Sequence, residues 1–130
     1  MISEPLPHAK IPARFAQAPW HESTELWRQL DEKLPHDHLA RQIRDAMVPL
    51  DLAPLYQTYS NRGKAPHRPD LMLAIVLFEL RRGQRYPSQW YRDTHECYPL
   101  WWLGFGIRPA RSCWYAFRQC MCSETIMPRG

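Results

Sequence analysis

Pro69-Asp70-Leu71-Met72-Leu73-Ala74-Ile75-Val76-Leu77-Phe78-Glu79-Leu80-Arg81-Arg82-Gly83 is the stretch on which the fold turns. From Leu71 to Leu80 every position except Glu79 is apolar. A surface helix carries a single apolar stripe, so a helix apolar all round has to be enclosed by other elements. Its ends are marked. Pro69 suits the first helical position, where a missing N–H costs nothing. Asp70 lies near the positive end of the helix dipole and Arg81 and Arg82 near the negative end. Gly83 can adopt the left-handed conformation that terminates a helix. A membrane span needs about 20 apolar residues and this run has half that, so it reads as a buried core helix.

Working outward, prolines divide the chain into helix-length segments. His21 to Leu34 is expected to form the first, with Leu26, Trp27, Leu30 and Leu34 on one stripe. Asp37 is placed to cap a second, in which Leu39, Ile43 and Met47 recur at helical spacing. Asp51 opens a third from Leu52 to Tyr59, turning Leu52, Leu55 and Tyr59 inward. Beyond the core helix, a helix is expected from Ser88 to Cys97 and a short turn from Pro99 to Leu103. Gly104 to Pro109 makes a tight break, and a last helix runs from Ala110 to Cys122. Strand signals are nearly absent, so the expected fold is all-α: a compact multi-helix domain of residues 21–122 around one buried helix. Residues 1–20, with four prolines, read as a flexible arm, and 123–130 as a disordered tail.

Charge is distributed unevenly. Residues 1–60 hold six Lys/Arg against eight Asp/Glu, whereas residues 61–130 hold eleven against five. A basic second half on a mildly acidic first half suggests one polyanion-binding face. The opening residues lack the continuous apolar segment of a secretory signal, which places the chain in the cytoplasm. Cys97, Cys113, Cys120 and Cys122 then read as reduced thiols. A zinc site would have to draw on His95, Cys97, Cys120 and Cys122, but no Cys-x-x-Cys pair is present. His36 and His38 around Asp37 lie at a helix start and read more simply as polar cap residues. Gly63-Lys64 lacks the upstream glycine and downstream Ser/Thr of a phosphate loop. No metal or cofactor is expected.

The last two helices and the glycine break between them have the outline of a helix-turn-helix unit. On a helical wheel Cys113, Phe117, Cys120 and Met121 point inward. Arg111, Tyr115, Arg118 and Cys122 share the opposite face, with Ser112 and Gln119 beside them. Arg bonds guanine bidentately, Gln does so with adenine, and Ser or Tyr reaches phosphates or base edges. Arg81, Arg82, Arg85, Arg92 and Arg108 are candidates for contacts to the DNA backbone. The competing reading is a helical interaction module built on Trp90, Tyr91, Trp101, Trp102 and Trp114, since aromatic residues concentrate at interfaces. No paired acid and base, nucleophile motif or nucleotide loop points to an enzyme.

Several ordered segments resemble the InsH-like N-terminal domain of bacterial insertion-sequence transposases. They are Leu34 to Leu39, Leu50-Asp51-Leu52 with Leu55-Tyr56, Tyr59 to Gly63, and Pro66 and Pro69 before the apolar helix ending at Gly83. Ser88, Trp90, Trp102-Leu103, Gly106-Ile107-Arg108-Pro109, Ser112 and Phe117-Arg118 continue the pattern, which covers about Leu30 to Met121. The resemblance implies a helical domain that precedes an RNase H-like catalytic domain and helps bind the ends of a mobile element. In that family three acidic residues of the later domain hold the catalytic metal ions. No such scaffold follows Met121, so no catalytic residue is carried over and the chain is expected to be a truncated or frame-disrupted transposase fragment. The expected partners are double-stranded DNA and, through self-association, further copies or a full-length transposase.

Overall fold

The computed structural model describes residues 25–58 and 67–121. The expected arm, residues 59–66 with Tyr59, Cys122 and the tail lie outside the described residues. Among the described residues seven helices follow one another: α1 (Glu25–Lys33), α2 (Leu39–Met47), α3 (Ala53–Thr58), α4 (Pro69–Arg81), α5 (Pro87–Glu96), α6 (Tyr98–Leu103) and α7 (Arg111–Met121). No strand occurs among the described residues, and the fold is all-α. None of these helices is long and apolar enough to cross a membrane.

Helix α4 is the enclosed element its composition requires. Pro69 to Val76, Phe78 and Glu79 are buried, and α2, α3, α5 and α6 all pack on it. It emerges from the core only at its end, where Leu80 is 40% exposed. Gly83 follows at φ 82°, in the left-handed region open to glycine. Asp70 does more than face the helix dipole: it is fully buried and held by Arg68 through Nε at 3.1 Å and Nη2 at 2.7 Å. Arg68 is itself buried, so two charges share one dry site and satisfy each other.

The first two helices are tied together by one arginine. Arg41 donates to the Asp31 carboxylate at 2.9 Å and to the carbonyls of Asp31, Leu34 and Pro35 at 2.6, 2.8 and 3.0 Å. Its guanidinium also lies 5.0 Å from the Trp102 ring. Trp102 donates its indole N–H to Asp31, Trp27 donates to the Trp102 carbonyl, and the two rings stack at 6.0 Å. In α1, Trp27 and Leu30 turn inward, with Leu34 just past its end, and Leu26 is left 47% exposed: adjacent positions cannot share a narrow stripe, and the larger indole takes the core. The cap of α2 is His38 rather than Asp37. His38 has the extended backbone of a cap, and its Nδ1 accepts from the Ala40 N–H at 3.0 Å. Asp51 caps α3 by accepting from the Ala53 N–H at 3.1 Å, and Tyr56 joins Leu52 and Leu55 in the core.

The glycine break after α6 is rigid. Phe105 and Ile107 are almost fully buried, and the Phe105 ring lies 5.7 Å from Trp27. Phe105 takes φ 50°, unusual for a bulky residue, and Gly106 follows at φ 86°. The Gly106 N–H closes this turn on the Trp101 carbonyl at 3.1 Å. A Cβ at Gly104 would sit 2.8 Å from Ile75 Cδ1, 3.1 Å from the Leu100 carbonyl oxygen and 3.2 Å from Ile107 Cγ1, so any larger residue here must displace its neighbours. The segment that delivers α7 is thereby fixed to the core.

Candidate nucleic-acid interface

Helix α7 is anchored by Trp114, Phe117 and Met121, all buried. Trp114 meets Trp90 of α5 edge to face at 6.1 Å and Phe117 in the same manner at 6.4 Å. This corrects the expected inward set. Phe117 and Met121 belong to it, Cys113 and Cys120 are half-buried and pack against the core, and Trp114, absent from that set, is fully buried on the same side. An indole removes far more apolar surface from water than a thiol, so it sets the rotation of the helix. The Trp114 indole N–H finds no acceptor among the described residues. Helix α7 packs on α5, with α6 and the break lying between them in the chain.

The opposite face carries Arg111, Ser112, Tyr115, Ala116, Arg118 and Gln119, all exposed. The Arg111 guanidinium lies 6.0 Å from the Tyr115 ring one turn away. Ser112, Tyr115, Ala116, Arg118 and Gln119 line an open depression on this surface. From Arg108 to Met121 there are three arginines and no carboxylate. The Ala110 carbonyl accepts from the N–H groups of Cys113 and Trp114, so those of Arg111 and Ser112 precede the intrahelical ladder. Arg108 is exposed just before the helix, its guanidinium 5.8 Å from the Trp101 ring.

Not all the candidate arginines join this surface. Arg81 and Arg85 are exposed at and beyond the end of α4. Arg82 is engaged elsewhere, 3.9 Å from a Glu79 carboxylate oxygen and 5.5 Å from the Phe78 ring. It lines a second depression with His38, Leu39, Phe78, Glu96, Cys97, Tyr98 and Pro99, which no α7 residue enters. Arg92 bonds Asp93 at 2.8 Å and lies 3.8 Å from Glu96. Sequence reasoning passed over Ala116, whose small side chain leaves the depression open. Its place one turn from both Ser112 and Gln119 was the available signal.

Beneath α5 lies a group that no motif announces. Glu79 is fully buried, and neither of its oxygens accepts a hydrogen bond from a described residue. Burial raises its pKa to about 8, helped by the nearby Asp93 carboxyl. Burial also pushes the Asp93 carboxyl up, but hydrogen bonds from Arg92 and Glu79 and the charges of Arg92 and Arg82 outweigh it and leave Asp93 below its ordinary value. Burial pushes the thiols of Cys97 and Cys120 up, which keeps them protonated and poorly nucleophilic. Among the described residues no three His, Cys, Asp or Glu side chains converge as a metal site would require.

Comparison with protein-family models, with curated proteins and with solved structures yields no match to this chain.

Proposed function

We propose that this chain binds duplex DNA through the outer face of α7, as the DNA-binding N-terminal part of a transposase that recognises mobile-element ends and carries no catalytic site of its own. The observation that carries the reading is the division of α7. Trp114, Phe117 and Met121 fasten one side to the core, and Arg111, Ser112, Tyr115, Arg118 and Gln119 lie exposed on the other with no carboxylate among them. These are the side chains that contact base edges and phosphates in a major groove. In this reading α5, α6 and α7 serve as the helix-turn-helix-like unit and Arg108 holds a phosphate at its entrance. The transposase assignment rests on the ordered sequence resemblance from about Leu30 to Met121.

The competing interaction-module reading drew on five aromatic residues. Trp90, Trp102 and Trp114 are buried, and Tyr91 and Trp101 are half-buried, so little of that surface is free for a partner. Sedimentation with and without DNA separates the two readings.

The direct test is a titration of labelled duplex at two salt concentrations, on the wild type and on Arg118→Ala. Binding should weaken with salt, and the variant should lower the slope by about 0.9 log unit per log unit of salt for each phosphate left unneutralised. Binding indifferent to salt would overturn the proposal.

A further inference from the structure

From the depression on α7 we infer that the helix seats the 5-methyl group of a thymine over Ala116, with Gln119 beside it to bond an adenine. The inference rests on the DNA-binding reading and adds to it the base that the surface selects. The depression is lined by Ser112, Tyr115, Ala116, Arg118 and Gln119, of which Ala116 carries the smallest and only purely alkyl side chain. Ser112 and Gln119 lie one turn to either side of Ala116 along the helix. Among the four natural bases only thymine presents an alkyl group in the major groove, and alanine is one of the side chains that packs on it. Gln119 supplies a paired donor and acceptor that match N6 and N7 of adenine. The arginines on the same face, with no acidic residue from Arg108 to Met121, complement the charge of the duplex around this methyl group. Arg111 lies over the ring of Tyr115 and is not among the residues that line the depression.

The experiment uses the full chain. The duplexes that bind best are selected from a randomised pool, and each thymine in them is then replaced singly by deoxyuridine, which differs only by the methyl group. At one thymine the replacement should weaken wild-type binding about fourfold, the loss expected for one buried methyl-sized group. Ala116→Leu fills the depression and should bring the thymine-to-uracil ratio at that position to about one. Ala116→Gly removes the methyl group and should hold the ratio below about twofold, and circular dichroism confirms that each variant is folded. If no thymine responds, if no preferred sequence emerges, or if both variants keep the wild-type ratio, the inference fails while salt-dependent binding leaves the DNA reading standing. Absence of binding to any duplex removes both.

Discussion

Glu79→Gln tests whether a proton held between α4 and α5 governs the stability of the fold. Glu79 titrates at an ordinary 4.5 when exposed and at about 8 in the folded chain. Between those values the folded state keeps a proton that the unfolded state has released, so stability falls as pH rises, by up to about 1.4 kcal/mol per pH unit. The contribution is fully present below 4.5 and levels off above 8, where the carboxylate is ionised in both states. Integrated from about pH 5 to pH 8, the loss is about 3–4 kcal/mol. Asp93, held below its ordinary value, contributes stability that disappears only in stronger acid, outside this window. His38 and His67, both lowered chiefly by burial, oppose Glu79 within the window, because their unfolded forms bind protons that the folded forms refuse. The difference between wild type and variant removes their effect. Glutamine has nearly the shape of the protonated acid and does not titrate. Urea unfolding followed by tryptophan fluorescence, with Trp90, Trp102 and Trp114 buried as reporters, should show the variant gaining on the wild type throughout this range. Parallel stability curves for the two proteins would refute the reasoning.

Arg118→Ala should weaken DNA binding and flatten its salt dependence, whereas Arg82→Ala, whose side chain leans on Glu79, should leave affinity unchanged and lower the melting temperature. Trp114→Ala empties the anchor of α7 and should cost about 3–5 kcal/mol by denaturant titration, with loss of the near-ultraviolet circular dichroism of the Trp90 contact. Gly104→Ala places a methyl group 2.8 Å from Ile75 Cδ1. Its expected cost is about 1–3 kcal/mol, and an unchanged urea midpoint would contradict the close packing of the break. Arg68→Ala leaves the Asp70 carboxyl buried without this partner and should destabilise by about 3–5 kcal/mol, while Arg68→Met with Asp70→Leu should recover most of the loss.

The architecture was legible where composition or local chemistry leaves one solution. A ten-residue apolar run bounded by Pro69 and Gly83 can only be an enclosed helix, and α4 is one. The outer face of α7 was legible for a related reason: Arg111, Ser112, Tyr115, Arg118 and Gln119 recur with helical spacing, and charged side chains seek water. The inward face was harder. Cys113 and Cys120 fall next to Trp114 on the wheel, and spacing alone does not say which row turns inward. The choice belongs to Trp90, which offers a ring edge to the indole from another helix. The cap of α2 failed for a similar reason, since Asp37 and His38 can both accept a backbone N–H and only the backbone angles at His38 distinguish them. Polar contacts between helices were the least accessible. Arg41 reaching Asp31 and Glu79 meeting Asp93 join residues whose proximity no local pattern encodes.

These long-range contacts converge on α5. Its Trp90 receives Trp114, which orients α7, and its Asp93 receives Glu79 from α4, only one turn further along the same helix. Trp90 is further fixed through its indole N–H to the Gln84 carbonyl, and its own carbonyl accepts the Thr94 hydroxyl at 2.6 Å. Thr94 in turn accepts the Trp101 indole N–H at its carbonyl, which ties α5 to α6, the helix before the break. Helix α7 therefore takes its position from aromatic contacts in the core and from the groups that fix Trp90. A substitution at Glu79 or Trp90 bears on the outer face of α7 without touching it, whereas one at Arg118 removes a side chain and leaves the scaffold whole. Comparing the two kinds of variant at matched stability separates the contribution of the exposed side chains from that of the frame that holds them.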